Sequence, residues 1–108
     1  MDRSRLVAYL DSYLRIRDIQ DLSLNGLQVE GPSAVRRVAL AVDARLTAFE
    51  EAAEWGAELL IAHHGLFWGK APALVGTHFR RVRALIEGKV GLYACHLPLD
   101  AHPRIGNN

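Results

Sequence analysis

Four of the five histidines in this 108-residue sequence lie in two short groups, and each group follows an apolar segment. Imidazole nitrogens and carboxylate oxygens are ligands that zinc, iron and manganese accept in proteins. Because both apolar segments have the length of β-strands, we expect the fold to bring the two groups together. The candidate metal ligands and catalytic residues are His63, His64, His96, Asp100 and His102.

The adjacent residues His63 and His64 form the first group. Neighbouring side chains of an extended strand point to opposite faces, so one ion would not easily bind both rings. The pair therefore suits two adjacent metal ions, each bound by one imidazole. The alternative is that both histidines cap the edge of a sheet through hydrogen bonds to the backbone.

The second group supplies a carboxylate and two more histidines. Asp100 is a candidate third metal ligand, with a turn-forming role after Pro98 as the alternative. For His96 and His102 we predict a catalytic role as general acid or base near neutral pH. Either could instead orient a metal ligand, or be a loop histidine whose nitrogens are satisfied by hydrogen bonds.

Other residues near these groups have structural interpretations beside functional ones. Asp43 precedes a predicted helix and is expected to cap its N-terminus. Cys95 is expected to be a buried strand residue. For Arg80, Arg81 and Arg83 we favour a solvated helix face over a contact with phosphate. For Phe67 and Trp68 we favour packing on the core over stacking on a nucleobase.

Alternating strands and helices must position the two groups. Apolar runs predict strands at 27–29, 35–42, 59–62 and 90–95, and helical spacing of apolar residues predicts helices at 4–16, 45–55 and 77–87. Asp2 or Ser4 would cap the first helix, while Gly56 and Gly88 would end the other two. The order indicates an α/β fold, a mostly parallel sheet buried on both faces and flanked by helices. Ligands bind at the carboxyl ends of such strands.

Length, composition and charge exclude several protein classes. The chain suits one compact domain, and 13 Lys+Arg against 12 Asp+Glu give a net charge of +1, which disfavours nucleic acid as a partner. No apolar run approaches the ~20 residues of a membrane span, and the N-terminus lacks the apolar region of a signal peptide. One cysteine cannot form an internal disulfide, so we expect a reducing, cytoplasmic setting.

Three motifs resemble those of the NGG-interacting-factor-three-like family, whose members are also called GTP cyclohydrolase 1 type 2 homologues or dinuclear-metal-centre hexameric proteins. They span residues 25–31, 57–68 and 92–108, in the family order. The resemblance implies two packed α/β lobes, a ring-shaped homohexamer, and two divalent metal ions between the lobes. It also implies that His63 and His64 bind one ion each and that Asp100 binds one of them.

The same family completes its metal site with a histidine and a glutamate, spaced His-x-x-x-Glu, in the C-terminal part of the chain. Residues 1–108 contain no such pair. We therefore expect them to form a single lobe, the N-terminal one, with the C-terminal lobe absent. In isolation this lobe should bind metal weakly, be inactive, and expose apolar surface where its partner would pack.

Two functional hypotheses of different class follow. The resemblance implies a metal-dependent hydrolase in which activated water opens the purine ring of GTP or a related nucleotide, with His96 or His102 moving the proton. The alternative is a non-catalytic hexameric scaffold or regulatory protein that binds a protein or nucleic-acid partner. In either case the resemblance predicts self-association, and no contact with a membrane is expected.

Overall fold

The computed structural model describes residues 1–106, so that Asn107 and Asn108, the end of the third motif, lie outside the described residues. Within 1–106 no helix has the length and hydropathy needed to cross a bilayer. The helices and strands of this range are, in chain order, α1 Arg3–Tyr13, β1 Gly26–Val29, β2 Val38–Asp43, α2 Leu46–Trp55, β3 Leu59–His64, α3 Gly76–Glu87, β4 Gly91–Ala94 and α4 Leu97–Asp100.

The four strands form one mixed sheet in the order β1-β4-β3-β2. β2, β3 and β4 are parallel neighbours, whereas β1 pairs antiparallel with β4 at one edge. α2 connects β2 to β3, and α3 connects β3 to β4. Parallel neighbours need such crossovers because the chain must return to the same end of the sheet. The predicted α/β fold, a mostly parallel sheet flanked by helices, is confirmed.

Alternate residues of the central strands fill two apolar cores, one on each face of the sheet. Leu60 and Leu92 pack with residues of α2 and α3, while Leu59 and Tyr93 pack with residues of α1. This alternation is the normal period of two in a strand. Because these four side chains are at most 1% exposed, β3 and β4 are buried on both faces.

β2 is buried on one face only. Ala39 and Ala41 pack against the core beneath α2, whereas Leu40 and Val42 are 77% and 64% exposed. α1 lies over β1, at the far edge of the sheet, and therefore does not cover β2. The expectation that all parallel strands are buried on both faces is wrong for β2, and an apolar strip remains on the surface.

The helix ends follow local capping rules in two of three predicted cases. α1 begins after Asp2, whose Oδ2 accepts a hydrogen bond from the backbone N–H of Arg5 at 3.3 Å. α2 ends at Gly56, which has the left-handed φ of 89° that a helix-ending glycine supplies. Gly88 follows α3 with a φ of −78°, so there the left-handed residue is Lys89, at 57°. The one-turn helix α4 lies where the sequence predicts no helix.

Glu58 ties the start of β3 to the segment before β2, and this contact predicts a pH dependence of stability. The backbone N–H groups of Arg37 and Arg36 donate to Glu58 Oε1 at 2.9 and 2.8 Å and hold the pKa of its carboxyl below the ordinary 4.5. A lowered folded-state pKa adds stability above the ordinary value, and this stability disappears as the pH falls through the folded value.

We therefore expect Glu58→Gln to be less stable than the parent chain near neutral pH, with the difference shrinking as the pH falls below the ordinary carboxyl value. Urea denaturation of both proteins between about pH 3 and pH 7 measures the difference. Glu54→Gln, at an exposed position on α2, is the matched control. A stability difference that stays constant across this pH range would contradict the prediction.

Candidate metal centre

The carboxyl ends of β2, β3 and β4 lie side by side and carry the polar residues of the site. Parallel pairing sets Asp43, the last residue of β2, opposite His64, the last residue of β3. Ala62 pairs with Ala94 at the end of β4, and His96 follows two residues later. The two histidine groups therefore meet at one edge of the sheet.

His63, His64 and His96 form a cluster of three rings, which we call the histidine cluster. The ring centroids of His63 and His64 are 4.5 Å apart, and that of His96 lies 4.9 and 5.3 Å from them. One possible ligand atom of each residue lies within 4.8 Å of the other two, so the group could hold a metal ion. Strand alternation does not keep the two neighbouring rings apart, because β3 ends at His64 and that ring contacts Asp43 on the adjacent strand.

The short helix α4, which starts after His96 and ends at Asp100, places the Asp100 side chain against the histidine cluster. Its Oδ1 lies 2.8 Å from His63 Nε2, and the two side chains are 21% and 16% exposed. The structure thus brings together the three metal ligands that the resemblance implies, His63, His64 and Asp100. Their binding of a metal stays a prediction.

Asp21 is a partner of the cluster that sequence reasoning missed. Its side chain is 3% exposed and accepts hydrogen bonds from His96 Nδ1 at 3.1 Å and from the backbone N–H of Leu97 at 2.9 Å. The N–H of Ser23 and the amide of Asn25 also donate to it, at 3.1 and 3.2 Å. Burial alone would raise the pKa of this carboxyl, but the four donors outweigh it and lower the pKa to about 2. Asp21 is therefore a carboxylate at neutral pH.

Asp43 contacts His64 and does not cap α2, which corrects the sequence prediction. Its Oδ1 lies 2.8 Å from His64 Nδ1, and this hydrogen bond lowers the pKa of the carboxyl. The N-cap of α2 is Arg45, which makes no capping hydrogen bond through its side chain. The helix starts later than the strand–loop pattern suggests, so Asp43 remains the last residue of β2.

Trp68 forms a wall beside the histidine cluster. Its ring stands edge-on to His96, with the centroids 5.1 Å apart at 77°, and 6.1 Å from the ring of His64. The indole N–H donates to the Gly65 carbonyl at 3.2 Å, which fixes the ring position. Phe67, in contrast, packs against the core beneath α2 and α3, as the sequence favours.

His102 does not join the cluster. It is 6% exposed and its ring packs on Tyr13, with the centroids 4.7 Å apart. Its Nε2 donates to the Tyr13 carbonyl at 2.8 Å, and its Nδ1 accepts from the backbone N–H groups of Arg104 and Ile105 at 3.2 and 3.4 Å. Of the interpretations that the sequence left open, this geometry matches the loop histidine satisfied by hydrogen bonds.

The remaining candidates make structural contacts. On α3, Arg80 donates to Thr77, Arg83 pairs with Glu87, and Arg81 donates to the carbonyl of Ala44 at 3.1 Å. These contacts are those of a helix face. Cys95 is fully buried just after β4, and burial raises the pKa of its thiol to about 11, so it is not a thiolate at neutral pH.

The donor set fits a divalent ion such as zinc. Imidazole and carboxylate side chains are common zinc ligands, and a site with three protein ligands leaves a coordination position open for water or substrate. Each histidine of the cluster also contacts one carboxylate, as imidazoles that bind metals usually do. The pairs are His63 with Asp100, His64 with Asp43, and His96 with Asp21.

The different surroundings of His102 and His64 predict opposite effects of their removal. His102→Ala should lower the free energy of unfolding by about 1–3 kcal/mol, because the packing of a buried ring and its hydrogen bonds to the backbone are lost. It should leave zinc affinity unchanged. His64→Ala should weaken zinc binding while stability changes little. Urea denaturation and calorimetric zinc titration of both variants measure this. Loss of zinc affinity in His102→Ala at intact fold would contradict it.

Comparison with known proteins identifies the family to which the chain is similar. It matches the family model Duf34/NIF3 (NGG1p interacting factor 3) over residues 1–108. A Deinococcus radiodurans protein named GTP cyclohydrolase 1 type 2 homolog is 53% identical over 106 residues, which cover 98% of this chain and 40% of the relative. A Pyrococcus abyssi protein of the same name is 45% identical over 108 residues, covering 100% of this chain and 43% of the relative.

Solved structures share the fold closely. A Thermus thermophilus protein, TTHA1606, has a TM-score of 0.96 and 59% identity, covering 100% of this chain and 45% of that one. Protein ybgI, described as of unknown function, has a TM-score of 0.94 and 39% identity; the match covers 100% of this chain and 44% of ybgI. The chain spans less than half the length of each of these four proteins. The family model, the relatives and the fold agree with the three sequence motifs, and the chain belongs to the Duf34/NIF3 family.

Proposed function

We propose that this chain forms part of a divalent-metal-dependent hydrolase centre that acts on a purine nucleotide. The observation that carries the proposal is the histidine cluster at the carboxyl edge of parallel strands, with ligand atoms within 4.8 Å of one another. This edge is where α/β sheets bind their ligands. Relatives named GTP cyclohydrolase 1 type 2 homolog support the substrate class. Since the chain spans about 40% of their length, the activity of a whole protein is itself part of the proposal.

His63, His64 and Asp100 would hold the metal. With two ions, as the family resemblance implies, His63 and Asp100 would serve one ion and His64 the other. A bound divalent ion lowers the pKa of water toward neutrality and polarises the bond that is attacked. Imidazole and carboxylate ligands suit zinc, iron or manganese.

His96 is the residue to which we assign proton transfer. Its Nδ1 is held by Asp21 at 3.1 Å, and the ring lies 4.9 and 5.3 Å from those of His63 and His64. The second nitrogen, Nε2, is thereby left to exchange a proton beside the metal ligands. His102 is less suited to this task, because the backbone occupies both of its nitrogens.

An open groove of about 990 Å³ beside His96 offers room for a nucleotide. Trp68 lines it and is 36% exposed, so its ring is available to stack on a planar base. Asp21 and Asn25 also line the groove, and apolar side chains such as Leu27 and Leu97 complete it. A mixed apolar and polar surface of this kind is typical of small-molecule sites.

Zinc and manganese titration tests the metal site, and formate release from GTP tests the reaction. We expect His64→Ala to weaken metal binding at least about 10-fold, because one imidazole ligand is lost. His78→Gln, which changes the one histidine outside both groups, is the matched control and should bind as the parent does. The same assays on the Deinococcus radiodurans relative provide the comparison with a longer chain.

Two outcomes would contradict the proposal. Equal metal affinity in the parent chain and in His64→Ala would remove the histidine cluster as the binding site. Metal-dependent formate release that is equal in the relative and in its variant at the position matching His64 would remove metal hydrolysis at this centre.

A second candidate function, a self-associating scaffold, is favoured by the exposed strip on β2. Leu40 and Val42 are exposed on an edge strand that pairs only with β3 among residues 1–106. Exposed apolar edge strands invite pairing with another chain. We propose that a second copy of the chain covers this strip; the hexamer that the resemblance implies stays a prediction.

Sedimentation velocity tests this association. The chain should sediment as a species larger than its 12.0 kDa monomer, and Leu40→Ser should shift it toward the monomer. Leu24→Ser, at another exposed leucine in a loop, is the matched control and should associate as the parent does. A monomeric parent chain at high concentration would refute association through β2.

A further inference from the structure

Two imidazoles of the histidine cluster are held in the same way. His64 Nδ1 lies 2.8 Å from Asp43 Oδ1, and His96 Nδ1 lies 3.1 Å from Asp21 Oδ1. An ionised carboxylate only accepts hydrogen bonds, so Nδ1 must carry the proton in both rings. In a neutral ring this leaves the lone pair on Nε2, the nitrogen that can bind a metal or take up a proton.

The fold places each carboxylate next to its histidine in a different way. Asp21 is 3% exposed and is fixed by donors from three other residues, among them the backbone N–H groups of Ser23 and Leu97. Asp43 is 46% exposed, but the register of β2 and β3 sets it directly opposite His64. The fold therefore fixes the Asp21 side chain through its donors and places Asp43 beside His64 through the strand register.

His102 provides the opposite case within the same chain. Its Nε2 donates to the Tyr13 carbonyl at 2.8 Å, and its Nδ1 accepts from the backbone N–H of Arg104 at 3.2 Å. Its neutral ring must carry the proton on Nε2. The partners of each ring thus determine its tautomer, and they select different tautomers at the cluster and outside it.

We propose that Asp21 and Asp43 are positioning residues that hold His96 and His64 in the Nδ1–H tautomer, with Nε2 unprotonated before any metal or substrate arrives. Neutral histidine in water prefers the other tautomer, with the proton on Nε2, so the carboxylates reverse the intrinsic preference. The proposal rests on the proposed function for the use of these lone pairs, but the tautomers themselves belong to the metal-free chain. A carboxylate in this outer position typically contributes about 10- to 100-fold to metal affinity.

Long-range ¹⁵N–¹H correlation spectra of the metal-free chain at about pH 8.5, where imidazoles are neutral, report the tautomer of each ring. We expect His64 and His96 to carry the proton on Nδ1, and His102, the internal reference, to carry it on Nε2. Protonation of His64 or His96 on Nε2 in the parent chain would overturn the proposal for that residue.

Asp43→Ala is the deciding variant, because the contacts of its side chain, to His64 and Arg45, are few. We expect His64 to return to the Nε2–H tautomer, zinc affinity to fall about 10-fold or more, and His102 to stay unchanged. Asp43→Asn, which keeps an acceptor oxygen without the charge, should restore part of the Nδ1–H population of His64 and part of the zinc affinity. Asp18→Ala, at an exposed aspartate, should change neither.

Asp21→Asn tests the second pair: it removes the charge and one of the two acceptor oxygens, which serve different backbone donors. We expect a larger share of the Nε2–H tautomer in His96, with His64 unaffected. If His64 keeps the Nδ1–H tautomer in Asp43→Ala, the positioning role is refuted even where zinc still binds. If the parent tautomers are as expected but zinc does not bind, the proposed metal function fails and the positioning role stands. The two failures are therefore distinguishable.

Discussion

The parallel register of β2, β3 and β4 is the constraint on which the candidate site depends. It places Asp43 opposite His64 and aligns the end of β4 with the end of β3. A slip of one residue would exchange the faces of Leu59 and Leu60, which fill different cores. The two buried cores therefore fix the register, and the packing that stabilises the sheet also holds the histidine cluster together.

The buried carboxylate of Asp21 holds the loops of the site together, as the strand register holds the strands. Removing a charge from water is costly, and Asp21 recovers that cost through four donors from the chain around it. These donors join the loop before β1 to His96 and to the start of α4. Because α4 also carries Asp100 back to His63, one side chain helps to order both halves of the candidate metal site.

The surroundings of the cluster differ on its two sides. The His96 side faces the open groove, which Asp21 and Trp68 line. The His63 side borders an apolar hollow lined by Leu40, on the exposed face of β2, and by Leu99 of α4. The candidate metal centre lies between a polar groove and an exposed apolar surface. The two proposed functions are therefore connected, because a partner that covered the strip on β2 would also come close to His63.

Most elements of the fold, and the histidines that meet at the sheet edge, can be predicted from the amino-acid sequence. Apolar periodicity and the helix-ending Gly56 reflect interactions between residues close in the sequence, so α2 and the parallel strands follow from local patterns. The same patterns place His63 and His64 at the end of a strand and His96 just after another. The carboxylates that contact those rings could not be predicted, because they depend on how distant segments pack. Asp21 and His96 are 75 residues apart, and no local pattern links them. The packing of His102 on Tyr13 and the exposure of β2 were likewise decided by where α1 lies on the sheet, because that placement results from the sum of many distant contacts.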